Sequence, residues 1–277
     1  MTKTIAAAVL LMGASCQGAH LTAAADAAFR QYIADLEARL ARQHRTAETH
    51  LAMLNLDAAD RADVERRLIA GEIRIEPVGG TPQALPGALL HHWRGVAFVA
   101  DATPEQMLTL LRDHRHVYGH YAPRVVASQA LKDDGEKAIL AVRLQEQNVR
   151  TIVLDAEYRF ESRLIGDERG YSLSRSMHVW QVDDPGTPHE HRLPEGDDEG
   201  FLWRLNSYWS FARTRGGLLI ECEAVSLTRD VPTGLGWLIT PFIQNLPPDA
   251  LQFTIKKTKE ALMSMGANRQ HPGKEQK

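Results

Sequence analysis

Residues 233–265 read TGLGWLITPFIQNLPPDALQFTIKKTKEALMSM. In the second half, Leu251, Ile255, Thr258, Leu262 and Met265 recur at alternating spacings of four and three. That spacing draws one apolar stripe along a helix. Pro247 and Pro248 stand at its expected start, where a missing N–H costs nothing. Lys256, Lys257, Lys259 and Glu260 fall away from the stripe and are expected in solvent. At 1.5 Å per residue, residues 248–265 span roughly 27 Å. A stripe that long must be buried against something. The first half differs. Gly234 and Gly236 loosen it and Pro241 breaks it, so residues 233–246 are expected outside the straight helix. Trp237, Leu238, Ile239, Phe242 and Ile243 crowd this segment, as an apolar gate would.

The chain has 277 residues, 44% hydrophobic and 24% charged, enough for one large domain or two small ones. A net charge of -3 implies no attraction to nucleic acid. Residues 1–19 read as an export signal: Lys3, an apolar run over 5–12, then Gly13, Ala14, Ser15, Gly18 and Ala19. This predicts a periplasmic or secreted protein. Gly13-Ala14-Ser15-Cys16 is also similar to a lipoprotein box, with Gly13 where Leu is usual. Lipidation of Cys16 is therefore the lesser reading, and any membrane contact would come through that anchor or be transient. Cys222 is then a lone thiol, and no disulfide framework is expected.

Two helices are predicted over 22–46 and 59–70. The first carries Phe29, Ile33, Leu36 and Leu40 on one stripe, and the second ends at Gly71. They form a helical hairpin over 20–78 that either packs on the main domain or serves as a partner-binding arm. Glycines and prolines between 79 and 87 read as a linker. A strand follows over 89–100. Thr103-Pro104-Glu105-Gln106 then opens a short helix as a capping box. Strand-like alternation next covers 125–132, 137–147, 151–164, 170–182, 201–214 and 218–229, with turn signals between most of them. Residues 183–200 are rich in Pro, Asp, Glu and Gly and are expected to be a mobile loop. An antiparallel meander has one face to bury, and the last helix has the stripe to bury it. The predicted fold is α+β, a curved antiparallel sheet wrapped around a long C-terminal helix. The domain spans 79–266, followed by a disordered tail over 267–277.

Residues 118–131 (YGHYAPRVVASQAL), residues 203–211 (WRLNSYWSF), Gly216-Gly217 and the terminal helix together resemble the START/Bet v 1-like helix-grip superfamily, also called SRPBCC or polyketide cyclase/dehydrase-like proteins. The likeness covers residues 89–265. It implies a deep cavity between sheet and helix for an apolar, lipid-like ligand, in a family where many members have no known chemistry. No cofactor and no metal are implied. Oligomeric state is not readable.

Alternation assigns the candidate lining. Leu140, Val142 and Leu144 share a face, as do Leu154 and Tyr158. Trp203, Leu205, Ser207, Trp209 and Phe211 line up, as do Ile220, Cys222 and Ala224. Large residues mix with small ones, which fits either an aromatic-walled pocket or a filled core. Tyr118 and Tyr121 from the entry motif, Trp237 and Phe242 from the gate, and Leu251 and Ile255 from the helix complete the expected ligand contacts. Residues 170–182 are ambiguous. One face offers Tyr171, Leu173, Arg175 and Met177, the other Ser172, Ser174, Ser176, His178 and Trp180. An inward His178 would be a polar handle. Should chemistry occur, His178 or Tyr158 would be the general acid or base, in a cyclase/aromatase- or hydrolase-like enzyme. His114, His116 and His120 cluster at a helix end and are expected in solvent; His189 and His191 lie in the loop. His91 and His92 point to opposite sheet faces. No Gly-x-Ser-x-Gly, P-loop, His-Glu-x-x-His or Cys-x-x-Cys motif is present.

If the gate reading holds, Phe242→Asp weakens uptake of a hydrophobic dye more than it lowers the melting temperature. A collapse of folding before any loss of uptake would assign the segment to the core.

Overall fold

The alternating strands have two apolar faces to hide, and the chain covers each with helices. The computed structural model describes residues 19–147, 151–230 and 236–270, the last stretch with side chains from 246 to 266. In chain order the elements are β1 (Ala19–His20), α1 (Ala23–Gln43), a 3-10 turn (Ala52–Asn55), α2 (Ala58–Ile69), β2 (Ile73–Pro77), β3 (Gln83–Leu85), β4 (Ala88–Ala100), α3 (Pro104–Leu111) and α4 (Val117–Tyr121). Then come β5 (Val125–Asp133), β6 (Lys137–Gln147), β7 (Thr151–Ile165), β8 (Arg169–Asp183), β9 (His191–Arg192), β10 (Asp197–Asp198), β11 (Arg204–Thr214), β12 (Gly217–Arg229) and α5 (Gly236–Gln270). The main sheet has the order β2-β4-β12-β11-β8-β7-β6-β5, with β3 on β4 and β9 on β8; its strands pair antiparallel. The α+β architecture expected from alternation and the final stripe is therefore present. The sheet begins earlier than residue 79: β2 precedes the supposed linker, β3 lies within it, and both pair with β4.

The last helix lies on one face of the sheet. Leu251, Ile255 and Leu262 are buried among Ala97, Val99, Trp209, Phe211, Ile220 and Cys222. Gly95 sits beneath it. A Cβ there would fall 2.2 Å from Ile255 Cδ1, so only glycine allows the strand this close. Thr103 caps α3 as expected, accepting from Gln106 N while Gln106 Oε1 accepts from Thr103 N. One expectation about α5 fails. It runs from Gly236 through Pro241, Pro247 and Pro248 without interruption. A proline withdraws one donor and crowds one carbonyl, and flanking turns can carry the helix past that local loss.

The convex face carries the N-terminal helices. Phe29, Ile33, Leu36 and Leu40 of α1 are buried against Leu90, Tyr208, Val225 and Leu227. Val64 and Leu68 of α2 pack with Leu51 and Met53 on Val96, Phe98 and Leu219. The apolar stripe of α1 is thereby spent on the sheet, which opposes its use as a partner-binding arm. The loop over 183–200 is also not the free excursion expected. Arg143 and Arg192 hold Asp155, and Arg143 also holds Glu190 at 2.9 Å. Asp198 accepts from Trp203 Nε1 at 3.0 Å, and β10 pairs with β1. Its acidic residues are anchors for sheet cations, a role that composition does not reveal.

Two carboxylates lie buried under these helices. Glu223 accepts from His92 at 2.7 Å and Arg39 at 2.5 Å, with Arg94 at 3.3 Å; Tyr32 meets the other His92 nitrogen at 2.7 Å. Burial alone would raise Glu223, but His92, Arg94 and Arg39 outweigh it and hold the carboxyl down to about 2. Glu221 has less help. Burial dominates and pushes it up to about 7, against the pull of Arg94 and the Ala52 N–H, which lies 3.0 Å from both oxygens. Between the unfolded value near 4.5 and about 7, folded Glu221 therefore holds a proton that the unfolded chain has lost. Its contribution favours the fold at low pH and declines as pH rises through that window. Urea denaturation at pH 5, 6, 7 and 8 is expected to show this decline, and Glu221→Gln is expected to flatten it. An unchanged slope in the variant would assign the pH dependence elsewhere.

Candidate functional site

Gly95 faces α5, and strand register carries that face across the sheet, because residues directly opposite share a side. One row reads Gly95, Cys222, Trp209, Ser172, Ser162. The next reads Trp93, Ala224, Ser207, Ser174, Phe160, Ala138. A third links Ser176, Tyr158, Leu140 and Ala130, with His91 opposite Ser226 at the β4 end. Apart from Trp209, small side chains pave the middle of the first two rows, and Trp93, Phe160 and Tyr158 stand at the sides. On the β5–β8 arm, Val125, Leu140, Val142, Ala156, Tyr158 and Val179 form a buried cluster with Val117 and Tyr121 of α4 and with Leu144, Phe160 and Leu205.

Among the described residues, two buried side-chain polar atoms on this face have no partner. The Tyr158 hydroxyl is enclosed and makes no hydrogen bond, and Trp93 Nε1 is shut from solvent without an acceptor. Burial pushes the Tyr158 hydroxyl further up, so it keeps its proton. An unmade bond at a buried donor costs about 1–3 kcal/mol. By contrast, Tyr121 and Thr258 satisfy each other at 3.0 Å across the α4–α5 contact, and burial raises Tyr121 to about 12. His91 reaches Thr228 at 3.2 Å and is lowered to about 4 by burial, hence neutral.

The ambiguous strand is settled by a bulge. Register shifts between Tyr158↔Ser176 and Glu157↔His178, leaving Met177 as the extra residue. Ser172, Ser174 and Ser176 face inward before it; His178 and Trp180 face outward after it. His178 is half-buried on the outer face, stacked on Trp180 at 5.1 Å and bonded to Glu195 at 2.8 Å. Its inward, catalytic reading is corrected. The bulge has local support: Ser176 N–H donates to Asn206 Oδ1 at 3.1 Å, and Leu205 N–H donates to Ser176 Oγ at 3.0 Å.

The other candidates divide cleanly. Tyr121, Leu140, Val142, Leu144, Leu154, Tyr158, Leu205, Trp209, Ile220, Leu251 and Ile255 lie on the inner side, from sheet, α4 or α5. Trp203 does not. It precedes β11 and is buried with Phe29 and Leu227 on the convex side. Tyr118 is also misassigned, because its ring is exposed. The side chains of Trp237 and Phe242 lie outside the described residues. His114 is not solvated as expected but buried, 2.9 Å from Asp133; His116 and His120 both bond Asp113. Cys222 is buried beside Trp209 and α5, and burial raises its thiol, so it is an inert apolar contact. Trp93 was missed, although alternation through β4 from the buried Ala97 and Val99 would have found it.

The fold is α+β, an antiparallel sheet with the long C-terminal helix α5 packed on one face. No protein-family model matches the sequence, and no curated protein matches it. Among solved structures, the chain is similar to a STAR-related lipid transfer protein fragment from Xanthomonas axonopodis, at 18% identity and a TM-score of 0.42, over 65% of this chain and 96% of that one. It is similar to the Zhui aromatase/cyclase from a Streptomyces species at 10% identity and 0.43, over 66% and 97%. Human STARD10 matches at 12% and 0.42, over 78% and 84%. At such identities and scores each is a likeness only.

Because the Tyr158 hydroxyl bonds nothing, Tyr158→Phe is expected to leave the melting temperature of the ligand-free protein unchanged or slightly higher. A fall equivalent to more than about 1 kcal/mol would mean that the hydroxyl has a structural partner.

Proposed function

We propose that the protein is an exported, non-catalytic binder or carrier of a hydrophobic, lipid-like small molecule held between the concave face and α5. The observation that carries this reading is the row Trp93-Ala224-Ser207-Ser174-Phe160, a floor of small residues between aromatic sides, with the unpartnered Tyr158 hydroxyl beside it. Close packing can fill a core with large and small residues alike, and in this reading the row is left open for the ligand. Burial of apolar ligand surface would supply the affinity, at about 25 cal/mol per Å² before ordering costs. Export rests on Lys3, the apolar run after it and the small residues that follow.

Catalysis is disfavoured by position. General acid–base work needs a titratable group within hydrogen-bond reach of the reacting atom. His178 lies on the outer face, and the Tyr158 hydroxyl has no base bonded to it.

Organic extraction and native mass spectrometry of protein purified from its host are expected to reveal a bound hydrophobe. Ser207→Trp, which fills the floor, is expected to abolish its retention while shifting stability by no more than about 3 kcal/mol. Absence of any ligand and of dye uptake, together with unfolding of Ser207→Trp, would show a filled core and end the proposal.

A further inference from the structure

The concave face is unusual in what it lacks. Across its described rows no Lys or Arg side chain stands on the floor. The nearest cations sit at the rims and are engaged. Arg112 binds Ser162 through Oγ at 3.0 Å and the carbonyl at 2.7 Å. Arg124 faces Glu146 at 3.5 Å and lies over the Phe253 ring. His91 is neutral through burial. A carboxylate or phosphate on this floor would be buried without a counter-charge, the costliest arrangement a site can adopt.

The unpartnered atoms have one chemistry in common. Trp93 Nε1–H can only donate, and Tyr158 O–H keeps its proton and has nothing to donate to. Near Tyr158, the Tyr121 hydroxyl is paired with Thr258 and Ser176 Oγ accepts from the Leu205 N–H; the floor hydroxyls of Ser174 and Ser207 can each donate as well as accept. The site therefore carries a surplus of donors. Trp93 and Tyr158 stand on β4 and β7, four strands apart in the sheet, or about 19 Å along its surface. The donors thus stand on opposite sides of the floor.

We infer that the site takes an uncharged hydrophobic ligand whose polar groups are hydrogen-bond acceptors, such as ketones, esters or ethers, and that it discriminates against carboxylates and phosphates. This rests on the carrier reading and specifies its ligand class. Tyr158 and Trp93 are specificity-determining residues: each gives its hydrogen bond only when an acceptor enters. A hydrocarbon of equal size fills the space but leaves both donors unmade.

The test uses delipidated full-length protein at pH 8 and two matched sets of probes. One is methyl palmitate, palmitate and hexadecane; the other is methyl 2-naphthoate, 2-naphthoate and naphthalene. Displacement of a fluorescent hydrophobic dye reads affinity. In at least one set the ester is expected to bind more than about tenfold tighter than its carboxylate and several-fold tighter than its hydrocarbon. Tyr158→Phe is expected to weaken ester binding about fivefold and leave hydrocarbon binding unchanged. A carboxylate that binds as tightly as its ester overturns this inference and leaves the carrier reading standing. Binding by none of the six overturns both. Ester affinity unchanged in both Tyr158→Phe and Trp93→Phe overturns the donor assignment.

Discussion

The ladder between β4 and β12 is the constraint on which the rest depends. It pairs Ala88–Ala100 with Gly217–Arg229 along the full length of both strands, and both of its faces are covered. On one side Gly95 lets Ile255 and Leu251 press onto the backbone. On the other, α1 and α2 bury Leu90, Val96, Val225 and Leu227. Strands buried on both faces normally read as continuous apolar runs. Here Glu221 and Glu223 interrupt that run on the convex side, and their burial requires the helices to bring partners. Arg39 comes from α1, and the Ala52 N–H from the 3-10 turn. The N-terminal region is thus a structural part of the sheet domain, because without it the buried Glu223 charge would lose Arg39 and the buried Glu221 carboxyl would lose the Ala52 N–H.

Covering that ladder from both sides has a consequence for the other arm. The buried stripe of α5 is spent over β4, β12 and part of β11, where Trp209 and Phe211 join it. The β5–β8 arm builds a separate apolar cluster with α4. On its convex side this arm has ion pairs in place of helices, Arg143 with the buried Asp155 and with Glu190 among them. The sheet therefore passes from a two-sided core to a one-sided wall. The small residues of the middle rows lie at that transition.

Periodicity made most of this legible. The strand assignments from 89 to 229 agree with the structure to within a few residues, and the stripes on α1 and α5 face the sheet as expected. What failed had local physical reasons. Proline was read as a full stop at 241, where a helix with intact flanking turns tolerates it. Trp203 shares parity with Leu205 and Trp209, yet it stands before the strand begins, where alternation no longer governs direction. The anchoring of 183–200 depends on Asp155, Gln181 and Trp203, which are far away in sequence and show no pattern with it.

The Met177 bulge shows most sharply why a site can be illegible while its strand is plain. One added residue exchanges the two faces of everything after it. The Ser172-Ser174-Ser176-His178 series is continuous in sequence, but the sheet sends the serines inward and the histidine out. No glycine or proline marks the place. The signal was Asn206 on the neighbouring strand, whose side chain takes the Ser176 N–H. That amide leaves the regular ladder only because a side chain is there to receive it, since a buried N–H without an acceptor would cost more than the bulge returns. The pairing of Ser176 with Asn206 therefore keeps the one inward-reading histidine of this strand off the floor and leaves the concave face uncharged.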